Sequence, residues 1–416
     1  MNMENGILFT PDFCKKAGSF NIEKANTIPQ WTNLAAAIAA RLESHMVLTN
    51  QNVITINGAK DFKEKSDTIK IRIPKYTSFV EHNPSGNDAI DFEEGYRDVK
   101  LDKLFTGDHS FTAFEMTQAL ESGQGEVVRT LADGALRKLE DYMMETISKR
   151  SVGWAGDAGS TPDAYADVVN TAAMLDQNEA PMDGRTLIVN HDAASKLLIQ
   201  SEWKDLSQVG DTLGLKNASL GQRAGMNIYK SSYVKSFAGA FSKVNETMAL
   251  TITASNNSVL ADGTPYSVGA FTEGGTSSTA VLTEGATGYF TTAAGVRHYF
   301  TVLETTGAST SGVTPAAKIF CTPRVTANQS AVVAVFADKN KNASVRNLAI
   351  QKDCVILASR PIHPLPGLPT MIFNVGGIPM RLYMYTDGKK KETKYVMDFL
   401  CKAQVLRMEG VTALLG

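Results

Sequence analysis

Glu273-Gly-Gly-Thr-Ser-Ser-Thr279 and Thr305-Thr-Gly-Ala-Ser-Thr-Ser-Gly-Val-Thr314 mark the region that separates this chain into two unequal parts. They lie within 241–330, which is roughly two-fifths Ser, Thr and Gly and whose charge density is about half the 20 % of the whole chain. The flanking sequence is ordinary and charged. Before the region, a strand-helix-strand pattern ends at Met226-Asn-Ile-Tyr229. After it, strand signals resume at Asn347-Leu-Ala-Ile350 and Val355-Ile-Leu-Ala358. This pattern predicts one small β domain inserted into a larger α+β body. Such insertions are tolerated where the host chain ends lie close together at the surface.

The 416 residues suffice for two or three domains with buried cores. A net charge of −2 and a pI near 6.3 argue against a free-standing nucleic-acid binder, which needs a basic surface to displace counterions. They leave room for a protein that encloses nucleic acid without gripping it. Mean hydropathy is −0.13 and no apolar run approaches a membrane span, so no membrane partner is expected. Met1-Asn-Met-Glu-Asn5 has no basic segment ahead of an apolar core, so no signal peptide is expected. Cys14, Cys321, Cys354 and Cys401 are far apart and lack zinc spacing. They are expected to be reduced and mostly buried, and no metal or cofactor is predicted.

Trp31, Leu34, Ile38 and Leu42 recur at helical spacing, predicting a helix that ends near residue 48. Val53-Ile-Thr-Ile56 predicts a short strand. In Asp67-Thr-Ile-Lys-Ile-Arg-Ile73 the isoleucines fall on one face and Thr68, Lys70 and Arg72 on the other. Val99-Lys-Leu-Asp-Lys-Leu104 alternates again, predicting a β arm of two long strands and a wide tip. Its charges are segregated. Lys60, Lys63, Lys65, Lys70, Arg72 and Lys75 make the outgoing limb basic; Glu81, Asp88, Asp91, Glu93, Glu94 and Asp98 make the tip and return acidic. Two readings stay open: solvated faces that neutralise each other, or an arm that docks by charge on a neighbouring copy. Then Val128, Leu131, Ala135, Leu139, Tyr142 and Ile147 line one face of a long helix over 126–151.

No motif carries catalysis. Gly123-Gln-Gly125 lacks a third glycine and a preceding strand, so it is no dinucleotide loop. His191, Asp192 and Ser195 are the one tempting cluster, but strand, then Asn190-His-Asp192, then Ala193-Ala-Ser-Lys-Leu197 reads as a helix cap. Lys389-Lys-Lys391 follows Asp387-Gly388 at a hairpin and reads as a solvated turn.

The order of elements resembles the major capsid proteins of tailed bacteriophages, the Hong Kong 97 fold. Ser66-Asp-Thr-Ile-Lys-Ile-Arg-Ile-Pro74 resembles the start of that family's extended loop. Gly184-Arg-Thr-Leu-Ile-Val-Asn190, Gln222-Arg-Ala-Gly225 and Asn227-Ile-Tyr-Lys230 resemble its axial domain. Asn347-Leu-Ala-Ile350, Lys352-Asp353 and Ser359-Arg-Pro-Ile362 resemble the return after an insertion. The inserted domain is similar to that of the branch typified by the coat protein of the Salmonella phage P-twenty-two. The resemblance implies an α+β chain divided into N-arm, first helix and first peripheral strand (1–57), extended β loop (58–110), spine helix and peripheral domain (111–157), axial domain (158–237), inserted β domain (238–328) and return (329–416). It implies a structural protein, not an enzyme, with no cofactor. Copies form pentamers and hexamers of an icosahedral shell, assembled in the bacterial cytoplasm and located in the virion. The implied partners are the chain itself, a scaffolding protein, a portal protein and optionally a decoration protein, and the shell encloses double-stranded DNA without sequence-specific binding. The alternatives are an encapsulin-like cellular nanocompartment shell and a hydrolase using Ser195 and His191. The subunit interface is expected at Lys63, Lys65, Lys70, Arg72, Lys75, Glu81, Asp88, Asp91, Glu93 and Glu94.

Overall fold

The computed structural model describes residues 29–49, 53–57, 68–73, 95–112, 123–200, 203, 220–237, 247–253, 258–272, 283–305, 317–325, 327–337 and 344–416. Helix α1 (Pro29–His45) opens on proline, whose fixed φ and missing N–H suit the first turn. Leu34, Ile38 and Leu42 are buried along one stripe of it. The helix ends at His45, short of the expected residue 48, because a side chain captures the next amides. Both carboxyl oxygens of Glu140 accept bonds here, from the N–H groups of Val47, Leu48 and Thr49 at 3.0–3.1 Å and from the Thr49 hydroxyl at 2.8 Å. Burial pushes the Glu140 pKa up, and the four donors pull it back.

Strand β1 (Thr55–Asn57) follows, then the hairpin strands β2 (Thr68–Ile73) and β3 (Gly95–Lys100), then β4 (Lys103–Thr112). The expected continuous strand 99–104 is thus broken at Leu101 and Asp102. Leu101 is buried and the Asp102 carboxylate takes the Lys402 ammonium at 2.8 and 2.9 Å, which turns the chain out of the hairpin. The sequence assigned 58–110 to one extended loop; β4 instead joins a sheet of the body.

Helix α2 (Gly123–Ser148) has 26 residues and spans about 39 Å. Val127, Leu131, Leu139, Met143 and Ile147 are buried along it; the Val128 side chain lies outside the described residues. Strand β5 (Trp154–Ala155), helix α3 (Tyr165–Gln177), strand β6 (Arg185–Val189), helix α4 (His191–Ile199) and strands β7 (Gln222–Arg223), β8 (Met226–Lys230) and β9 (Ser236–Phe237) complete the first half.

Six strands then close a barrel: β10 (Thr247–Thr253), β11 (Ser267–Thr272), β12 (Thr287–Thr291), β13 (Arg297–Thr305), β14 (Ala317–Thr322) and β15 (Gln329–Phe336), in the order β10-β11-β14-β13-β12-β15. The sequence ended this domain at 328. The structure carries it through Phe336, because β15 pairs with both β10 and β12 and closes the ring. Phe271, Phe290, Phe300 and Phe336 fill the interior. Glycine composition follows from that packing: a Cβ on Gly288 would come 2.5 Å from the Phe300 ring, and one on Gly269 3.0 Å from Ile319.

The chain returns through β16 (Ser344–Gln351), β17 (Val355–Arg360), β18 (Thr370–Val375), β19 (Ile378–Asp387), β20 (Glu392–Val405) and β21 (Val411–Leu415). One sheet runs β1-β17-β20-β19-β18, with β4 also on β20; another runs β5-β21-β16-β6-β8-β7, with β9 on β16. Strands from before and after the barrel therefore share the second sheet. Leu348 pairs with Ile188, and Ser344 with Phe237, so the chain leaves for the barrel and returns from it on paired strands. The buried Asn347 side chain locks this seam, accepting from the Asn190 N–H at 2.8 Å and donating to the Leu414 carbonyl at 3.1 Å.

Candidate functional site

The hairpin carries the described candidate interface residues. Its register sets Ile69 against Val99, Lys70 against Asp98, Ile71 against Arg97 and Arg72 against Tyr96. Ile69 and Val99, with Ile71 and Ile73 beside them, pack on Ile356, Ala358 and Leu406 of the body. Lys70 and Arg72 are exposed on the other face. Lys70 faces Asp98 across the ladder, so part of the charge segregation is balanced within the hairpin. Lys63, Lys65, Lys75, Glu81, Asp88, Asp91, Glu93 and Glu94 lie outside the described residues.

Sequence reading missed Arg97. It is buried at the foot of the hairpin, where its Nε donates to the Leu406 carbonyl at 3.3 Å. Desolvation lowers its pKa, opposed by the carboxylates of Asp262 and Glu409. Asp262 belongs to a turn at the barrel's rim, and a Cβ on the adjacent Gly263 would meet the Tyr96 carbonyl at 2.9 Å. Hairpin, sheet and barrel rim therefore converge on one arginine. Next along the chain, β4 pairs with β20 alone among the described residues, leaving its 10-residue length as an edge on which Leu104 is 57 % exposed. Long open edges accept further strands unless something covers them.

The barrel is fastened at the end of α2. The Arg346 guanidinium is fully buried and its Nη1 donates to the carbonyls of Gly285 at 2.7 Å and Ser148 at 3.2 Å. A buried cation is tolerable there because helix C-terminal carbonyls present partial negative charge. The Thr301 hydroxyl donates to the Ser151 carbonyl at 2.6 Å, and Trp154 packs against Tyr289 and Tyr299. Gly285 has φ +86, and a Cβ there would come 2.9 Å from the Lys149 Cα. Only glycine permits both the conformation and the approach. Phe320 and Leu303 face out of the barrel into the body's core, while their strand neighbours Ile319, Cys321 and Val302 face in.

The Ser195–His191 alternative lacks its geometry. Ser195 Oγ donates to the His191 backbone carbonyl at 2.8 Å, while His191 Nε2 lies 2.7 Å from Ser232 Oγ. Asn190 caps the helix by accepting from the Ala193 N–H at 2.8 Å, as the sequence predicts. Among the described residues no group of three or more His, Cys, Asp or Glu could hold a metal, and no helix is long and apolar enough to cross a membrane. Cys321, Cys354 and Cys401 are free thiols, each pushed up to about 12 chiefly by burial. Lys389, Lys390 and Lys391 sit exposed on the β19–β20 turn. There Asp387 accepts from the Lys389 N–H at 2.9 Å.

No family model matches the sequence, and no curated protein does. Several solved structures are similar in course at low identity. The capsid of cyanophage P-SCSP1u matches at TM-score 0.46 and 10 % identity, over 88 % of this chain and 87 % of that one. The capsid of Ralstonia phage GP4 matches at 0.45 and 9 %, over 88 % of each. A virus-like particle from Pyrococcus furiosus matches at 0.40 and 8 %, over 92 % and 98 %.

Proposed function

We propose that this chain is the coat subunit of a tailed-phage head with the Hong Kong 97 fold, in the branch that carries an inserted domain. The observation behind it is the split sheet: β6 and β8 precede the barrel, β16 and β21 follow it, and the barrel leaves and re-enters at Phe237 and Ser344. The order of helix, charged hairpin, 26-residue helix and interrupted sheet is the order that the resemblance in sequence implies. Copies associate into pentamers and hexamers of a closed shell around double-stranded DNA, with scaffolding and portal proteins as assembly partners and the virion as its place. The hairpin limb with Lys70 and Arg72, and the acidic tip beyond it, dock between subunits. The open edge of β4 supports self-association, since it offers unpaired backbone groups to a neighbour. A nanocompartment shell is the second reading; the inserted barrel favours the coat protein over it. Negative-stain microscopy of the full chain, expressed with and without its neighbouring genes, tests the class. Closed shells are expected when a scaffold gene is present. Only small soluble species under every condition would refute it.

A further inference from the structure

Along the exposed side of α2 runs a groove of two chambers, 320 and 530 Å³, that share Arg137, Ser232 and Tyr233. One wall is α2 from Asp133 to Asp141; the other is the turn after β8, residues 230–233. Both carboxylates in the lining are already engaged. Asp133 takes two bonds from Arg41 at 2.7 and 2.8 Å, which hold its pKa down, and Asp141 is paired with Lys235. Arg137, Lys138 and Lys230 are exposed, and no ion pair among the described residues engages them. Lys138 reaches over the Phe105 ring, and His45 and His191 also line the groove. A chain of net charge −2 thus carries a locally cationic channel.

We propose that this groove binds the backbone phosphates of double-stranded DNA, independently of sequence. It rests on the container reading for which polyanion the subunit meets. From Asp133 to Asp141 the helix advances about 12 Å, and one DNA strand presents a phosphate every ~3.4 Å of axis, so the groove faces about three phosphates. The three exposed cations that make no ion pair among the described residues, Arg137, Lys138 and Lys230, are of that number. Among the described residues no Asn or Gln lines the groove, which fits backbone contact more than base reading.

The test uses the unassembled full-length chain and two short DNA duplexes of unrelated sequence, with affinity measured by fluorescence anisotropy between about 50 and 200 mM salt. The triple variant Arg137→Gln, Lys138→Gln, Lys230→Gln should reduce the slope of log affinity against log salt by about 2 to 3, equally on both duplexes. The control variant Lys389→Gln, Lys390→Gln, Lys391→Gln should leave it unchanged. Equal slopes for wild type and groove variant would overturn the proposal, as would binding to polyglutamate but to neither duplex. Microscopy of the same variants separates the two ideas. A reduced slope with no shells from the wild type sinks the container reading and spares the groove; shells with an unaltered slope do the reverse.

Discussion

The barrel and the hairpin leave the same body in opposite ways. The barrel closes on itself, so it has no open edge, and it holds its own cluster of Phe271, Phe290, Phe300 and Phe336. The hairpin has two strands and one apolar face, and that face is buried by residues it does not own: Ile356, Ala358 and Leu406. An isolated two-stranded hairpin is marginal in water. A self-contained unit can be inserted or lost as a whole; a borrowed one takes its order from whatever it lies on. That difference is what the proposed role of the hairpin as an arm for neighbours requires.

The sharpest way to break the comparison is to cut the barrel open. The isolated segment 238–343 should give a folded β spectrum with cooperative thermal unfolding. The segment 238–328 lacks β15, the strand that joins β10 to β12, and should be unfolded. If both segments behave alike, the ring is not what holds the barrel together.

Next comes the barrel core in the full chain. Phe300 is fully buried, and Phe300→Ala should cost about 3–5 kcal/mol within the barrel. Cys321 lies inside the barrel and Cys401 in the body, so thiol labelling reads the two separately once Cys14 is replaced by Ser and the third buried thiol, Cys354, by Ala. In mild denaturant Cys321 should react while Cys401 stays protected. Simultaneous labelling would show one cooperative unit instead of two.

A smaller effect is expected at the hairpin. Ile69 is 9 % exposed, and Ile69→Ala should cost about 2 kcal/mol at its seat on the body. Hydrogen exchange should show β2 and β3 amides losing protection while α2 and the barrel keep theirs. Uniform loss of protection would mean that the hairpin is part of the main core.

What the sequence made legible was periodicity. The α1 stripe and the alternation of β2 announce themselves through spacing of 3.6 or 2, the strand at 185–189 through its short apolar run, and the β19–β20 hairpin through its Asp387-Gly388 turn. The inserted domain was visible because its composition changed. Its closure was not, since β15 reads like body sequence: Gln329-Ser-Ala-Val-Val-Ala-Val-Phe336 has lost the Ser/Thr/Gly bias. The break between β3 and β4 was hidden because alternation continues across Leu101 and Asp102; only the distant Lys402 shows why the chain turns. Glu140, Arg97 and Arg346 look like ordinary surface charges in sequence. Each is buried because backbone groups from elsewhere in the chain meet it, and spacing cannot report that. Of the interface candidates, Lys70 and Arg72 were legible as an exposed face because a strand with isoleucine on one side must turn its charges to the other.

The central claim is that the hairpin's charged face joins one subunit to the next in a closed shell. Sedimentation velocity of the full chain, co-expressed with its neighbouring genes, tests it most directly when wild type is run beside Lys70→Glu, Arg72→Glu, Lys75→Glu. Lys70 and Arg72 are exposed, so the variant should still fold, with a small drop in melting temperature from setting a carboxylate opposite Asp98. Wild type should sediment as large closed particles and the variant as small folded species. Particles of the same size and yield from both would contradict the account.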